Sequence, residues 1–366
     1  MDYRTRTLAA LRTRPASAAT KLALVGFDGF VDRIVHPVGT RHGQGDAFTP
    51  MAAITEFGNR VLAAAGKSTN IELYPVIEKL GGNGPIMTGA LLAAGVPVRY
   101  VGALGAMAVH PVFAGIAQRT EAASLCDPGL TIALEFPDGK VMLGLMKSLD
   151  EITYARIVAV MGEGAFLDLL SRADLTALVN WTMVPNMTAI LEELAARVYP
   201  QLPPRERIFF FDLADPEKRS TGDLLAALNV IARFQSFGRV TLGLNLKEAQ
   251  QVFAALGLGR SAEDEKALRS MAREIRQKLG IAVVVIHPRE SAACATKDDT
   301  WWVPGPVAEK PLITTGAGDH FNAGFVTGQL LGLAPEACLG LGVSNSGYYV
   351  RTARSPSLGD LERFLA

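Results

Sequence analysis

Short apolar runs alternate with longer amphipathic segments along most of this chain, and that alternation predicts an α/β fold. Residues 22 to 26, Leu-Ala-Leu-Val-Gly, form an uninterrupted apolar run closed by glycine, the pattern of a parallel strand buried on both faces. After Gly81-Gly82-Asn83-Gly84, the segment from Pro85 to Gly95 puts proline in a first turn and glycine where a helix stops, which predicts a helix opening from a glycine-rich turn. Val98 to Gly102 reads as the next strand, and further strands are expected at 208–213, 240–244 and 282–287. Two stretches, 33–80 and 130–146, break the alternation. In the second, Pro137-Asp138-Gly139-Lys140 sits between alternating segments as a hairpin turn does. No repeat and no obvious linker divides the chain. The expectation is one main domain, residues 22–366, with a largely parallel sheet between helices and a small β element from 33–80 and 130–146. A basic arm, 1–21, precedes it.

Composition supports that reading and removes some alternatives. Hydrophobic residues make up 49% of the 366 positions and charged ones 20%, enough for a large core and no case for disorder. Lys and Arg number 36, as do Asp and Glu, so no net field gathers nucleic acid or an anionic membrane. Any phosphate must then be held by a local site. Cys126, Cys294 and Cys338 are too scattered for a disulfide framework, which fits a reducing, cytoplasmic setting. No apolar run reaches the roughly 18 residues that span a membrane. Arg4, Arg6, Arg12, Arg14 and Lys21 lack the apolar centre of a secretory signal and read as a short surface helix. The five histidines occur singly, without the helical pairing of a zinc hydrolase.

The strongest chemical signal lies in Thr314-Thr315-Gly316-Ala317-Gly318-Asp319-His320-Phe321. Gly316, Ala317 and Gly318 leave the backbone uncovered where a helix begins, so free N–H groups and the positive end of the helix dipole can face an anion. In phosphoryl transfer such fixed donors stabilise the charge on the equatorial oxygens. Asp319 stands beside them. A sugar hydroxyl is a poor nucleophile, and a carboxylate in reach can orient it and take its proton. The string by itself also suits a plain helix start with an acidic first turn. Phe321 and Phe325 belong to the core face of that helix, and His320 is left out of the catalytic set.

Several motifs in order make the chain resemble the ribokinase or PfkB family of carbohydrate kinases. Val25 to Asp32 is similar to the family's first strand and turn, and Gly81-Gly82-Asn83-Gly84 to its di-glycine turn. Asn245-Leu246-Lys247-Glu248 resembles its Asn-x-x-Glu element, although a helix cap would look the same. The resemblance runs from about residue 22 to 364. It implies a ribokinase-like three-layer α/β/α fold with a small β lid over the substrate, and transfer of the γ-phosphoryl group of ATP with Mg²⁺. Asp319 is then the base, and Gly316, Ala317 and Gly318 form the anion hole. Asp28, Asp32, Gly81, Gly82 and Asn83 are implied as substrate contacts, Asn245, Thr315, Gly318 and Asn345 as nucleotide contacts, and Glu248 as a contact of the cation. The partner implied is a sugar-like small molecule, with a homodimer through the lid an open option.

Departures narrow what carries over. Ile313 stands where the family has an aspartate, so the resemblance does not extend to a monovalent-cation site. His287-Pro288-Arg289 replaces a Thr-x-Gly turn near the adenine, which leaves another nucleotide donor open, and Ile86 occupies the approximate place of a pentose-binding asparagine. His42 to Asp46 reads as a surface patch. Lys218 or Arg219, in the loop after the strand ending near Asp212, is a candidate contact for phosphate or substrate, with a plain solvated loop as the alternative. A nucleoside kinase of the same fold and a sugar-binding regulator without catalysis remain as other readings.

Overall fold

The computed structural model describes residues 2–260 and 262–366. Its strands, in chain order, are β1 (Ala23–Phe27), β2 (Phe30–Arg41), β3 (Phe48–Pro50), β4 (Leu73–Gly81), β5 (Val98–Gly102), β6 (Ala123–Ser124) and β7 (Gly129–Phe136). They continue as β8 (Gly139–Leu145), β9 (Leu175–Leu178), β10 (Ile208–Asp212), β11 (Arg239–Leu244), β12 (Val283–Ile286), β13 (Ser291–Ala295) and β14 (Thr300–Pro304). One sheet has nine strands in the order β14-β13-β12-β11-β10-β9-β1-β5-β6. It is parallel from β12 to β6, and β13 and β14 extend it as antiparallel strands. The parallel strands β1, β9, β10 and β12 are buried at every position, as strands covered on both faces by helices must be.

The two stretches that break the alternation build a second, smaller sheet. Long β2 runs between β4 and β7, with β8 beyond β7 and β3 pairing its far end. Phe136 pairs with Gly139, so Pro137 and Asp138 form the tip of the predicted hairpin. The His42 to Asp46 patch is exposed.

The N-terminal segment is the short helix expected, but it is packed into the core and does not lie only on the surface. Tyr3–Arg12 is a helix capped by Asp2, whose side chain accepts from the Thr5 N–H. Leu11 is fully buried in the cluster that holds Leu330, Leu361 and Leu365. Arg6 and Arg14 pair with Glu336 and Glu362. The basic residues that suggested an arm are the outer edge of a helix whose apolar side completes the core. Leu11→Ala should therefore lower unfolding stability by about 2–5 kcal/mol in a urea titration. A segment lying outside the core would leave the midpoint unchanged.

Candidate active site

Strands β1, β9, β10, β11 and β12 end at one rim, and the residues just past their carboxyl ends converge there, as open parallel sheets favour. Two glycines shape the turns facing that rim. Gly82 has φ +94 and precedes the helix Asn83–Ala93, and Gly316 has φ +89 and precedes the helix Ala317–Leu330. Both angles strain any residue with a β-carbon. Beyond Gly316, the Ala317 N–H turns back to the Thr314 carbonyl and the His320 N–H reaches the Gly316 carbonyl at 3.0 Å. Among the described residues no carbonyl accepts from the Gly318 N–H, which is left at the positive end of the helix. His320 clamps the turn. Its ring nitrogens contact the Gly316 carbonyl at 2.8 Å and the Ser355 hydroxyl at 2.9 Å, and the ring stacks on Tyr349. Both nitrogens are thus taken up by the protein itself.

Four buried carboxylates, Asp28, Asp212, Glu248 and Asp319, gather at the rim, and among the described residues none of them forms an ion pair with Lys or Arg. Burial, the negative charge of Asp28 and that of Glu248 push the Asp319 carboxyl well above its ordinary range, against a hydrogen bond from Asn83. Asp212 is raised well above its ordinary value too, by burial and by the charges of Glu248 and Asp319, while Asn322 donates to it at 3.0 Å. Both oxygens of Glu248 accept backbone N–H groups, from Asp215 at 3.0 Å and Asn245 at 2.9 Å. Asn245 in turn accepts from the Glu248 N–H, which completes a capping box. Among the described residues no group of three or more such side chains is arranged to hold a metal ion by itself, so a divalent cation drawn to these carboxylates would need further ligands, such as phosphates it accompanies.

Two chambers meet at this cluster. The first, about 380 Å³, runs from Asn245, His287 and Gly318 toward apolar walls at Pro306, Val307 and Val350. The second, about 370 Å³, lies under the small sheet and is bounded by Asp32, Gly82, Thr131, Met142 and Asn180. Asn83, Glu248 and Asp319 line both. Each chamber is large enough for a small ligand. Asp319 stands in the partition between them, beside the uncovered turn.

The predicted residues do not all point where the motifs suggested. Asp32 lines the second chamber; burial raises its pKa, and the Thr131 hydroxyl donates to it. Asp28 does not line either chamber. Its carboxylate accepts from the N–H groups of Asn83 and Gly84, each at 2.9 Å, and from Asn180 at 2.6 Å, so it caps a helix and pins the turn. Burial raises it to about 6. Gly81 lies behind the site, where a β-carbon would be 2.5 Å from the Asp32 carboxylate. Thr315 faces the second chamber instead of the first, which Thr314 lines, because successive residues of a non-helical segment point opposite ways. Asn345 is turned toward the helix Ala317–Leu330, against Gly324. Val343, Ser346, Gly347 and Val350 supply the chamber wall, at the spacing of one helix face.

Residues outside the predicted set also reach the site. Asp212 ends the all-apolar strand β10, and that abrupt charge at a strand end was the available signal. Asn180 lies two residues past β9 with φ +61; its amide nitrogen holds Asp28, and its buried Oδ1 has no partner among the described residues. Lys218 stands at the edge of the second chamber, half-exposed and 3.4 Å from Asp215. Arg219 is turned away, over the Trp181 ring and bonded to the carbonyls of Trp181, Thr182 and Val184.

Sequence and structure comparisons give the family and the fold. The sequence model of the prokaryotic ketohexokinase family matches residues 2–366. A ketohexokinase of Haloferax volcanii is 27% identical over 343 residues, which cover 93% of this chain and 90% of that protein. Among solved structures, Arabidopsis thaliana ribokinase complexed with ribose and ATP superposes with a TM-score of 0.62 at 14% identity, covering 94% of this chain and 98% of that one. The nucleoside kinase of Methanocaldococcus jannaschii gives a TM-score of 0.61 at 12% identity over 94% of this chain and 98% of that one. These structural likenesses establish the ribokinase fold, with its mostly parallel sheet, flanking helices and separate small sheet.

Proposed function

Because the chain belongs to the prokaryotic ketohexokinase family, we propose that it moves the γ-phosphoryl group of ATP to a hydroxyl of a ketohexose, with Asp319 as the base. It is a carbohydrate kinase. The observation that carries the finer reading is the position of Asp319 in the partition between the two chambers, next to the unpartnered Gly318 N–H. In this reading the sugar lies under the small sheet and ATP in the chamber with the apolar end. The Asp319 carboxylate takes the proton of the sugar hydroxyl while that oxygen bonds to the γ-phosphorus. The bond from the γ-phosphorus to the bridging oxygen breaks, and ADP leaves. The N–H groups at the start of the helix Ala317–Leu330 receive the charge on the transferring oxygens.

Asp32, set by Thr131, and the Asn180 Oδ1 accept hydrogen bonds from sugar hydroxyls in this account. Glu248, fixed by two backbone N–H groups, would help to hold a Mg²⁺ that comes with the nucleotide. A cation held there would supply positive charge to the phosphates. Turnover should vanish in excess EDTA and return with added Mg²⁺. Persistence of turnover in EDTA would remove the cation from the account.

The acceptor is tested by ADP release over ketohexoses, aldohexoses, pentoses and nucleosides. A ketohexose should give the highest kcat/KM. A nucleoside as best acceptor would favour the nucleoside-kinase reading, and binding of ATP and sugar with no ADP release would favour a regulator.

A further inference from the structure

We infer that His287 is a ligand of the donor's phosphate chain, its Nε2–H donating to a phosphate oxygen beside the Gly318 backbone. This inference rests on the reading that nucleotide fills the first chamber. The position of the ring is well determined by its surroundings. The His287 N–H donates to the Leu244 carbonyl at 2.9 Å, which continues the β11–β12 ladder by one residue and fixes the backbone at the rim. The imidazole stacks on Phe321, with ring centroids 4.6 Å apart and planes 30° off parallel. A β-carbon placed on Gly318 would lie 3.4 Å from His287 Cε1, so the Cε1 end of the ring faces the start of the helix Ala317–Leu330.

That end of the ring is chemically incomplete. His287 Nε2 is buried and has no hydrogen-bond partner among the described residues, although the residue lines the chamber with Ala317 and Gly318. His320, the other histidine of this region, has partners for both nitrogens. A buried ring nitrogen without a partner is costly, and at a cleft it is expected where a ligand supplies the partner. Its neighbour lacking a partner is the Gly318 N–H, a donor. Two donors that converge on one space select an acceptor with several oxygens, and a phosphate supplies them. Burial holds the ring's pKa down at about 4, so it is neutral and gives one proton to hydrogen bonding without bringing a charge.

The test compares binding of ATP, ADP and adenosine, with Mg²⁺ and without sugar, to the wild type, His287→Ala and His287→Phe. The phenylalanine keeps the stack on Phe321 and removes the donor, so it separates packing from recognition if the alanine variant folds poorly. Both variants should bind ATP and ADP about 10-fold or more weaker, with adenosine unchanged. KM for ATP should rise in step while KM for the ketohexose stays the same. Unchanged ATP affinity in His287→Phe, or adenosine weakened equally with ATP, would overturn the inference. Failure of the wild type to bind ATP would overturn the reading of the chamber on which it rests.

Discussion

Asp319→Asn is expected to lower kcat by about 10²- to 10⁴-fold, with affinities for nucleotide and sugar nearly unchanged. The amide keeps the size of the carboxyl and loses the capacity to take a proton, so the defect should appear in the chemical step. Steady-state kinetics with both substrates, together with nucleotide titration of the unreacted protein, read the two quantities separately. The same substitution has an opposite effect on stability. Burial first, then the charge of Asp28, raises the Asp319 pKa, so the folded protein holds a proton that the unfolded chain releases near the ordinary carboxylate value. The stability associated with that proton is present at low pH and lost as pH rises toward the raised pKa. The variant has no such loss. Its melting temperature should exceed the wild type's by a margin that widens as pH rises above the ordinary carboxylate range. A constant margin would mean that Asp319 is not raised in the unliganded protein.

The second large effect is expected at Asp32. Asp32→Ala should cost roughly 10²- to 10³-fold in kcat/KM for the ketohexose, because a charged acceptor of one or two sugar hydroxyls is worth about 1.5–3 kcal/mol per hydrogen bond. The loss should fall on the sugar, leaving nucleotide binding in its absence intact, since Asp32 lines the second chamber alone. Thr131, whose hydroxyl holds the Asp32 carboxylate, should give a smaller effect in the same direction when changed to Val. Equal loss of ATP and sugar affinity in Asp32→Ala would argue for a general disturbance of the rim.

The two cases show how much of the site the sequence made legible. Asp319 and Asp32 sit in short strings whose local geometry follows from glycine and from strand ends, and strings of that kind can be read without a structure. The alternation of apolar runs likewise marked β1, β5, β10, β11 and β12 of the large sheet to within a residue or two, and left β6, β9, β13 and β14 unread. Direction was harder to read. Asn345 and Ser346 are neighbours in sequence, yet helical phase turns the first into the packing against Gly324 and the second to the chamber. Asp28 lies in the turn between β1 and β2 and Asp32 four residues on in β2, and only the contacts from Asn83, Gly84 and Asn180 show that Asp28 is a structural pin.

Contacts across long separations were equally hidden. Asn180 meets Asp28 across 152 positions, and Asn322 meets Asp212 across 110, with no pattern along the chain to announce either. The N-terminal helix was legible, but its docking was not: its arginines form ion pairs at the surface while Leu11 enters the core.

The central claim is that Asp319 joins two chambers into one phosphoryl-transfer site. The most direct measurement is a single-turnover ³¹P NMR or quench experiment with enzyme in excess over ATP and saturating ketohexose. The account predicts that the wild type converts ATP to ADP and a sugar monophosphate, and that Asp319→Asn binds the same ATP but forms that ester about 10²- to 10⁴-fold more slowly. Formation of the sugar phosphate at the same rate in both, or release of inorganic phosphate in place of the ester, would contradict it.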